Sequence, residues 1–243
     1  MQFISLGGWC GTRLALDQEK ITDKEPHNLF DHLRSSSKGV LECIKSDFSL
    51  STILPEPLVI DARFRHFKPF VGEHFGFYHH DLTNKDVLAS IDRKIARFIS
   101  YCTDNENKKI VFVRTCVIPD YEEELANMIE LQKVFIDKYP NLKFIIVFVI
   151  PDQNVTAYYR TVTDKLFVFT LNDKSYKNFN LGKEYRNIFN FILNNDLFSE
   201  TFVSDVIHKE KQEKDEKAKI DLVPISTRLC LVDDLPAVNY YSK

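Results

Sequence analysis

The sequence predicts an α/β protein built as a three-layer, Rossmann-like sandwich around a mostly parallel sheet. Three observations predict it. Ile110-Val111-Phe112-Val113 and Phe144 to Val149 are continuous apolar runs of strand length, as expected of strands covered on both faces. An amphipathic helix, Tyr121 to Tyr139, separates them, and a further strand at Leu166 to Leu171 leads to a helix at about 183–195. Strand–helix alternation is the pattern of parallel sheets, and the fixed hand of the crossovers puts helices on both faces.

The remaining elements follow in chain order. Residues 2–6 read as a strand that runs into the turn Gly7-Gly8-Trp9-Cys10-Gly11 and then a helix beginning near Thr12. A helix follows at about 38–46, where Val40, Leu41 and Ile44 recur at helical spacing. Residues 47–80 are rich in Pro, Phe and His and read as an irregular insertion with at most one short strand; long irregular stretches often carry function. Asp86 to Tyr101 is a helix with Val87, Ile91, Ile95 and Phe98 on one stripe, capped by Asn84 or Asp86. The organisation expected is one domain over 1–208, a charged linker or helix end over 209–219, and an apolar segment over 220–243 that docks back.

Composition narrows the functional classes. The 243 residues suffice for one good core, and 44% hydrophobic content is that of a globular protein. A formal net charge of −3 gives no footprint for nucleic acid or an anionic membrane. No apolar run approaches the ~18–20 residues of a membrane span, and the N-terminus has neither the basic nor the apolar region of a signal peptide. The five cysteines are odd in number and scattered without C-x-x-C spacing, which signals neither zinc nor a disulfide framework. A cytoplasmic, reducing location is the expectation. Frequent Lys, Asn, Ile and Phe fit an AT-rich coding genome, viral or otherwise.

The chemistry-bearing residues gather in three places. Three of the seven glycines lie within five residues that also hold Cys10 and Trp9. At the carboxyl end of a parallel strand and the start of a helix, backbone N–H groups and the helix dipole favour a thiolate and can hold an oxyanion. Gly7, Gly8 and Gly11 would then supply the oxyanion turn. The spacing is not G-x-G-x-x-G and no Walker lysine follows, so no nucleotide cofactor is indicated. The second place is Gly76-Phe77-Tyr78-His79-His80-Asp81, where a base for Cys10 could come from either histidine. His74, His79, His80 and Asp81 match no standard zinc spacing, so no metal is expected. The third is Phe30-Asp31-His32, a source of an orienting carboxylate or simply a turn cap. Arg114, just past its strand, would hold an anionic group or pair with Asp31.

Taken together these segments resemble a known pattern: Ser5-Leu6-Gly7-x-x-Cys10, Phe30-Asp31 with Leu33 and Ser35, Tyr78-x-His80-Asp81, Arg93-x-x-x-Arg97-Phe98, and Phe112-Val113-Arg114. The pattern is similar to that of an uncharacterised family of papain-like cysteine peptidases with members in bacteria and large DNA viruses, over roughly residues 3–150. The resemblance implies Cys10 as nucleophile, His80 as its base, and Asp31 or Asp81 as orienting acid. The chain departs from that pattern at Arg13, His32 and Leu82. Papain-like enzymes carry their histidine on a largely antiparallel sheet, whereas this chain's alternation points to a parallel one.

Two functional classes therefore stand against each other. One is a cysteine-nucleophile hydrolase or acyl transferase acting on a protein or small-molecule substrate, with Arg114, His79 and Trp9 lining the substrate and a depressed Cys10 pKa. The other is a non-enzymatic α/β interaction module in which Cys10 is a packed turn residue.

Overall fold

Four apolar strands laid parallel form the spine of the structure, a computed structural model that describes residues 1–21, 26–54, 59–60, 70–78, 80–104, 108–118, 120–172, 181–199 and 202. The chain opens with β1 (Gln2–Ser5), turns through the glycines and forms α1 (Gly11–Gln18). A 3-10 turn at Leu29–His32 leads to β2 (Arg34–Ser35) and α2 (Ser37–Lys45), the latter capped by Ser36, whose hydroxyl accepts from the Gly39 N–H. Short elements follow: α3 (Leu50–Ile53), β3 (Val59–Ile60), β4 (Phe70–Val71) and β5 (Phe75–Phe77). The long α4 (Lys85–Thr103) starts at Asn84, which accepts from the Asp86 N–H. Then come β6 (Ile110–Thr115), α5 (Tyr121–Lys138), β7 (Phe144–Ile150), β8 (Ala157–Thr163), β9 (Leu166–Thr170) and α6 (Leu181–Asn194).

The main sheet has the order β1-β6-β7-β9-β8. Its first four strands are parallel, and β8 pairs antiparallel with β9 at the edge. The mostly parallel sheet expected of the sequence is present. Alternate residues of each strand enter two separate cores. Ile4, Phe112, Phe144 and Val168 pack with apolar residues of α2, α4 and α5. Phe3, Val113, Val147 and Phe169 pack with α1 and α6. Every residue of β6 and β7 is buried, the physical meaning of their unbroken apolar runs.

Two parts of the chain differ from expectation. The stretch 47–80 is not simply irregular, because β3, β4 and β5 join β2 in a second, antiparallel sheet of order β2-β5-β4-β3. Strands of two or three residues are too short to show alternation in the sequence. The strand β8 was also not expected. Its residues are all half-buried, and Tyr158, Arg160 and Val162 alternate too weakly with their neighbours to signal an edge strand. The expected charged run 209–219 and docking segment 220–243 lie outside the described residues. No helix among the described residues is long and apolar enough to cross a membrane.

The best-packed point of the larger core is Phe112. Its ring stacks on Phe135 at 4.6 Å with 4° between planes, and it meets Phe98 and Phe144 at 5.9 and 6.1 Å. Phe112→Ala should cost about 3–5 kcal/mol in equilibrium urea unfolding, the range for a truncated core phenylalanine. A loss below about 1 kcal/mol would contradict this packing.

Candidate functional site

The glycine turn sits beyond the carboxyl end of β1, against the ends of β6 and β2. Gly7 and Gly8 have φ of +75° and +99°, a region that side chains rarely occupy. Space forbids a side chain as well: a Cβ on Gly8 would lie 2.2 Å from the Thr115 carbonyl, and one on Gly7 2.6 Å from Ser35 Oγ. Gly11 opens α1 beneath the Trp9 ring, whose atoms would come within 2.0 Å of an added Cβ. A buried hydroxyl chain fastens the helix to the sheet. Thr12 Oγ1 donates to the Gly7 carbonyl at 3.3 Å and lies 2.7 Å from Thr115 Oγ1, which lies 2.5 Å from the Tyr185 hydroxyl.

The turn's own amides point inward. Gly7 N–H donates to Ser5 Oγ at 3.0 Å, and Gly8 N–H to Ser35 Oγ at 3.2 Å. The amides that lack an intrahelical partner belong to the first turn of α1, since the Leu14 N–H is the one bonded to the Cys10 carbonyl. Gly7 and Gly8, whose amides are already bonded to Ser5 and Ser35, are therefore not free to supply the oxyanion turn expected of them.

Cys10 is the N-cap residue of α1, with no side-chain cap bond. It is partly buried, whereas Cys43, Cys102 and Cys116 are fully buried. Desolvation nonetheless pushes its thiol up to about 11, a backbone hydrogen bond offsetting only part of that. The sequence led us to expect a depressed value. Cys10 packs against the α1–α6 core, and a charge there would lose its hydration.

The other candidate residues lie elsewhere. His80 follows β5 and packs edge-on to Phe77 at 6.3 Å, with its Nε2 3.1 Å from Lys94 Nζ on α4. Burial holds the Lys94 ammonium below its ordinary value, with Asp31 raising it and Arg97 lowering it further. Asp31 is buried and accepts from the Asn28 backbone N–H at 2.7 Å and from Asn28 Nδ2 at 2.9 Å, closing the cap of the 3-10 turn. Arg13 reaches it at 3.3 Å and also pairs with Asp17 at 2.9 Å. Asp81 is exposed and accepts from the Thr83 N–H and hydroxyl, at 3.0 and 2.6 Å. Among the described residues no hydrogen bond joins Cys10 to His80, Asp31 or Asp81. His79 lies outside them.

Arg114 is fully buried and pairs with Glu124 of α5 at 2.6 Å, not with Asp31. It also donates to the Leu6 carbonyl at 3.2 Å, to Ser35 Oγ at 3.0 Å and to the Ser35 carbonyl at 2.8 Å. The second Glu124 oxygen accepts from the Val117 N–H at 3.2 Å. In this conformation the guanidinium holds the chain together and presents no face to a substrate. Sequence reasoning did not single out Glu124 or Lys94. Glu124 reads as an ordinary acidic residue of a helix's first turn, and only the packing of α5 on the end of β6 buries it.

A depression of about 760 Å³ lies at the opposite, amino end of the sheet, lined by Lys109, Lys143, Lys165, Phe144 and Phe198 among others. It is remote from the Cys10 turn because these residues stand at the starts of β6, β7 and β9. No group of three or more histidines, cysteines and carboxylates among the described residues is arranged to hold a metal.

The fold and the turn define an α/β protein that carries a partly buried cysteine at a helix N-terminus on the carboxyl edge of a mostly parallel sheet. Over residues 1–154, from β1 to just past β7, the chain matches the family described as "Putative papain-like cysteine peptidase (DUF1796)", and it belongs to that family. No curated protein and no solved structure was found to match it.

The thiols carry a measurable pH dependence. Cys10, Cys43 and Cys102 stand at about 11, about 12 and about 12 against an ordinary 9.0, and burial raises Cys116 further. Above pH 9 the unfolded chain releases these protons while the folded chain keeps them, so folding stability falls as pH rises. Urea midpoints should therefore be level with respect to the thiols below about pH 9 and decline from there toward pH 11–12. Cys43→Ala should flatten that decline; an unchanged slope would contradict the assignment.

Proposed function

We propose that the chain is a cysteine hydrolase of the peptidase type with Cys10 as its nucleophile. The observation that carries this reading is the contrast among the described thiols: Cys10 alone is not fully buried, and it stands at a helix N-terminus on the carboxyl edge of the sheet, where open α/β folds bind ligands. Membership of the papain-like family supports the reaction class. We read the sheet, with helices packed on both faces, as a Rossmann-like three-layer scaffold for this site.

In this mechanism Cys10 Sγ attacks a carbonyl carbon and the thiol proton passes to His80. The developing oxyanion is held by the first-turn amides of α1, and His80 returns the proton to the leaving amine. Water then resolves the thioester; another nucleophile in its place would make the protein an acyl transferase. His80 must leave Lys94 to act, and catalytic hydrogen bonds commonly tighten only in the substrate complex. A non-enzymatic module is the second reading, favoured by the raised Cys10 pKa and by the engagement of His80 with Lys94.

A peptidyl vinyl sulfone, followed by peptide mass spectrometry, separates the two. The proposal predicts one adduct, on Cys10, absent in Cys10→Ser and formed about 10²-fold or more slowly in His80→Ala. No adduct on Cys10, or equal labelling of several thiols, would leave the interaction module as the better account.

A further inference from the structure

Glu124, Arg114 and Ser35 have no part in the chemistry above and none touches Cys10, yet they form one continuous buried device around its turn. Ser35 holds Gly8 from both sides: its hydroxyl accepts the Gly8 N–H at 3.2 Å, and its own N–H donates to the Gly8 carbonyl at 3.2 Å. Arg114 holds Ser35 in turn, through hydroxyl and carbonyl, and grips the Leu6 carbonyl just before the glycines. Glu124 neutralises the guanidinium and binds the Val117 N–H, fixing the strand end against which Gly8 is pressed. Both charged side chains are 0% exposed. Burying such a pair is costly, and apolar residues of similar volume commonly serve stability as well or better. Stability alone does not explain why the charges stand at the end of the strand beside the cysteine turn.

We infer that Glu124, Arg114 and Ser35 are positioning residues that hold the Leu6–Gly8 turn, and through it Cys10 and the first turn of α1, in the geometry a peptide-like substrate needs. This inference rests on the proposed role of Cys10 as nucleophile. The reach is short. Gly8 is two residues from Cys10, and Gly7 is bonded to Thr12 of the first helical turn. A shift of about 1 Å at a nucleophile is enough to cost on the order of 10²-fold in reaction rate.

Two variants test it. Ser35→Ala removes the hydroxyl that joins Gly8 to Arg114 and leaves the ion pair. The double variant Arg114→Met/Glu124→Leu replaces the pair by apolar side chains, the kind of exchange that preserves folding. Each is compared with the unaltered chain by thermal unfolding, by the rate of Cys10 labelling with the peptidyl vinyl sulfone, and by its alkylation with iodoacetamide at pH 8. Loosening the turn should hydrate the thiol and return it from about 11 toward 9.0. The hundredfold gain in thiolate, offset by lower nucleophilicity, leaves iodoacetamide alkylation about tenfold faster. Peptidyl labelling should instead fall about tenfold or more, because orientation is lost. A merely structural role would move both rates together, with the unfolded fraction.

Opposite changes in the two rates, in a variant that keeps its cooperative melt, uphold the inference. Unchanged rates, or rates that rise or fall by a common factor, overturn it. Ser35→Ala carries the test by itself if the double variant does not fold. If the unaltered chain takes no peptidyl label, the peptidase reading fails on that result; faster iodoacetamide alkylation in the variants still upholds the hold on the turn, and an unchanged rate overturns it.

Discussion

The ion pair between Arg114 and Glu124 is the interaction on which the carboxyl edge of the sheet depends. It joins four segments: the end of β1 through the Leu6 carbonyl, β2 through Ser35, the end of β6, and the first turn of α5. Loss of one partner would leave an unpaired charge in a fully buried site, a far larger penalty than the net value of the pair. The small antiparallel sheet reaches the cysteine turn here. Ser35 pairs with Phe75 on one side and bonds Gly8 on the other.

The same edge shows how two opposing effects on one thiol are resolved. A helix N-terminus offers partial positive charge, typically ~0.3–1 kcal/mol at the surface. Desolvation of an anion packed against apolar side chains acts the other way, and burial pushes the Cys10 thiol up to about 11. The turn therefore holds a thiol, not a thiolate, at neutral pH. In the proposed reaction a base must reach Sγ, and His80, the residue proposed for it, is engaged with Lys94 on α4. Arg13, one of the chain's departures from that pattern, takes up Asp31, which is already occupied with the cap at Asn28.

Much of the architecture was legible because it rests on short-range physics. The unbroken runs at Ile110 and Phe144 could only be doubly covered strands. α4 (Lys85–Thr103) was legible as a helix over Asp86 to Tyr101 from its apolar stripe, with Asn84, one of the two caps the sequence offers, at its start. The glycines at 7 and 8 were legible because a positive φ and a close backbone approach leave no other residue. What failed to show in the sequence depends on partners far along the chain. Arg114 was expected to face a ligand or Asp31, and it faces Glu124, because the angle at which α5 packs on β6 is a tertiary fact. The strands of two or three residues in the second sheet exist only because their neighbours align them. The raised Cys10 pKa belongs to the same class, since burial is set by the docking of α1 and α6 on the sheet.

The central claim is that the Arg114–Glu124–Ser35 hold makes the cysteine turn a rigid part of the core. Native-state hydrogen exchange of the Gly8 and Val117 amides, followed by NMR across a urea series, tests it most directly. The account predicts that both exchange only with global unfolding, at the same free energy as the amides of β6. Exchange through a local opening well below that free energy, independent of urea, would show a turn free of the core and would contradict it.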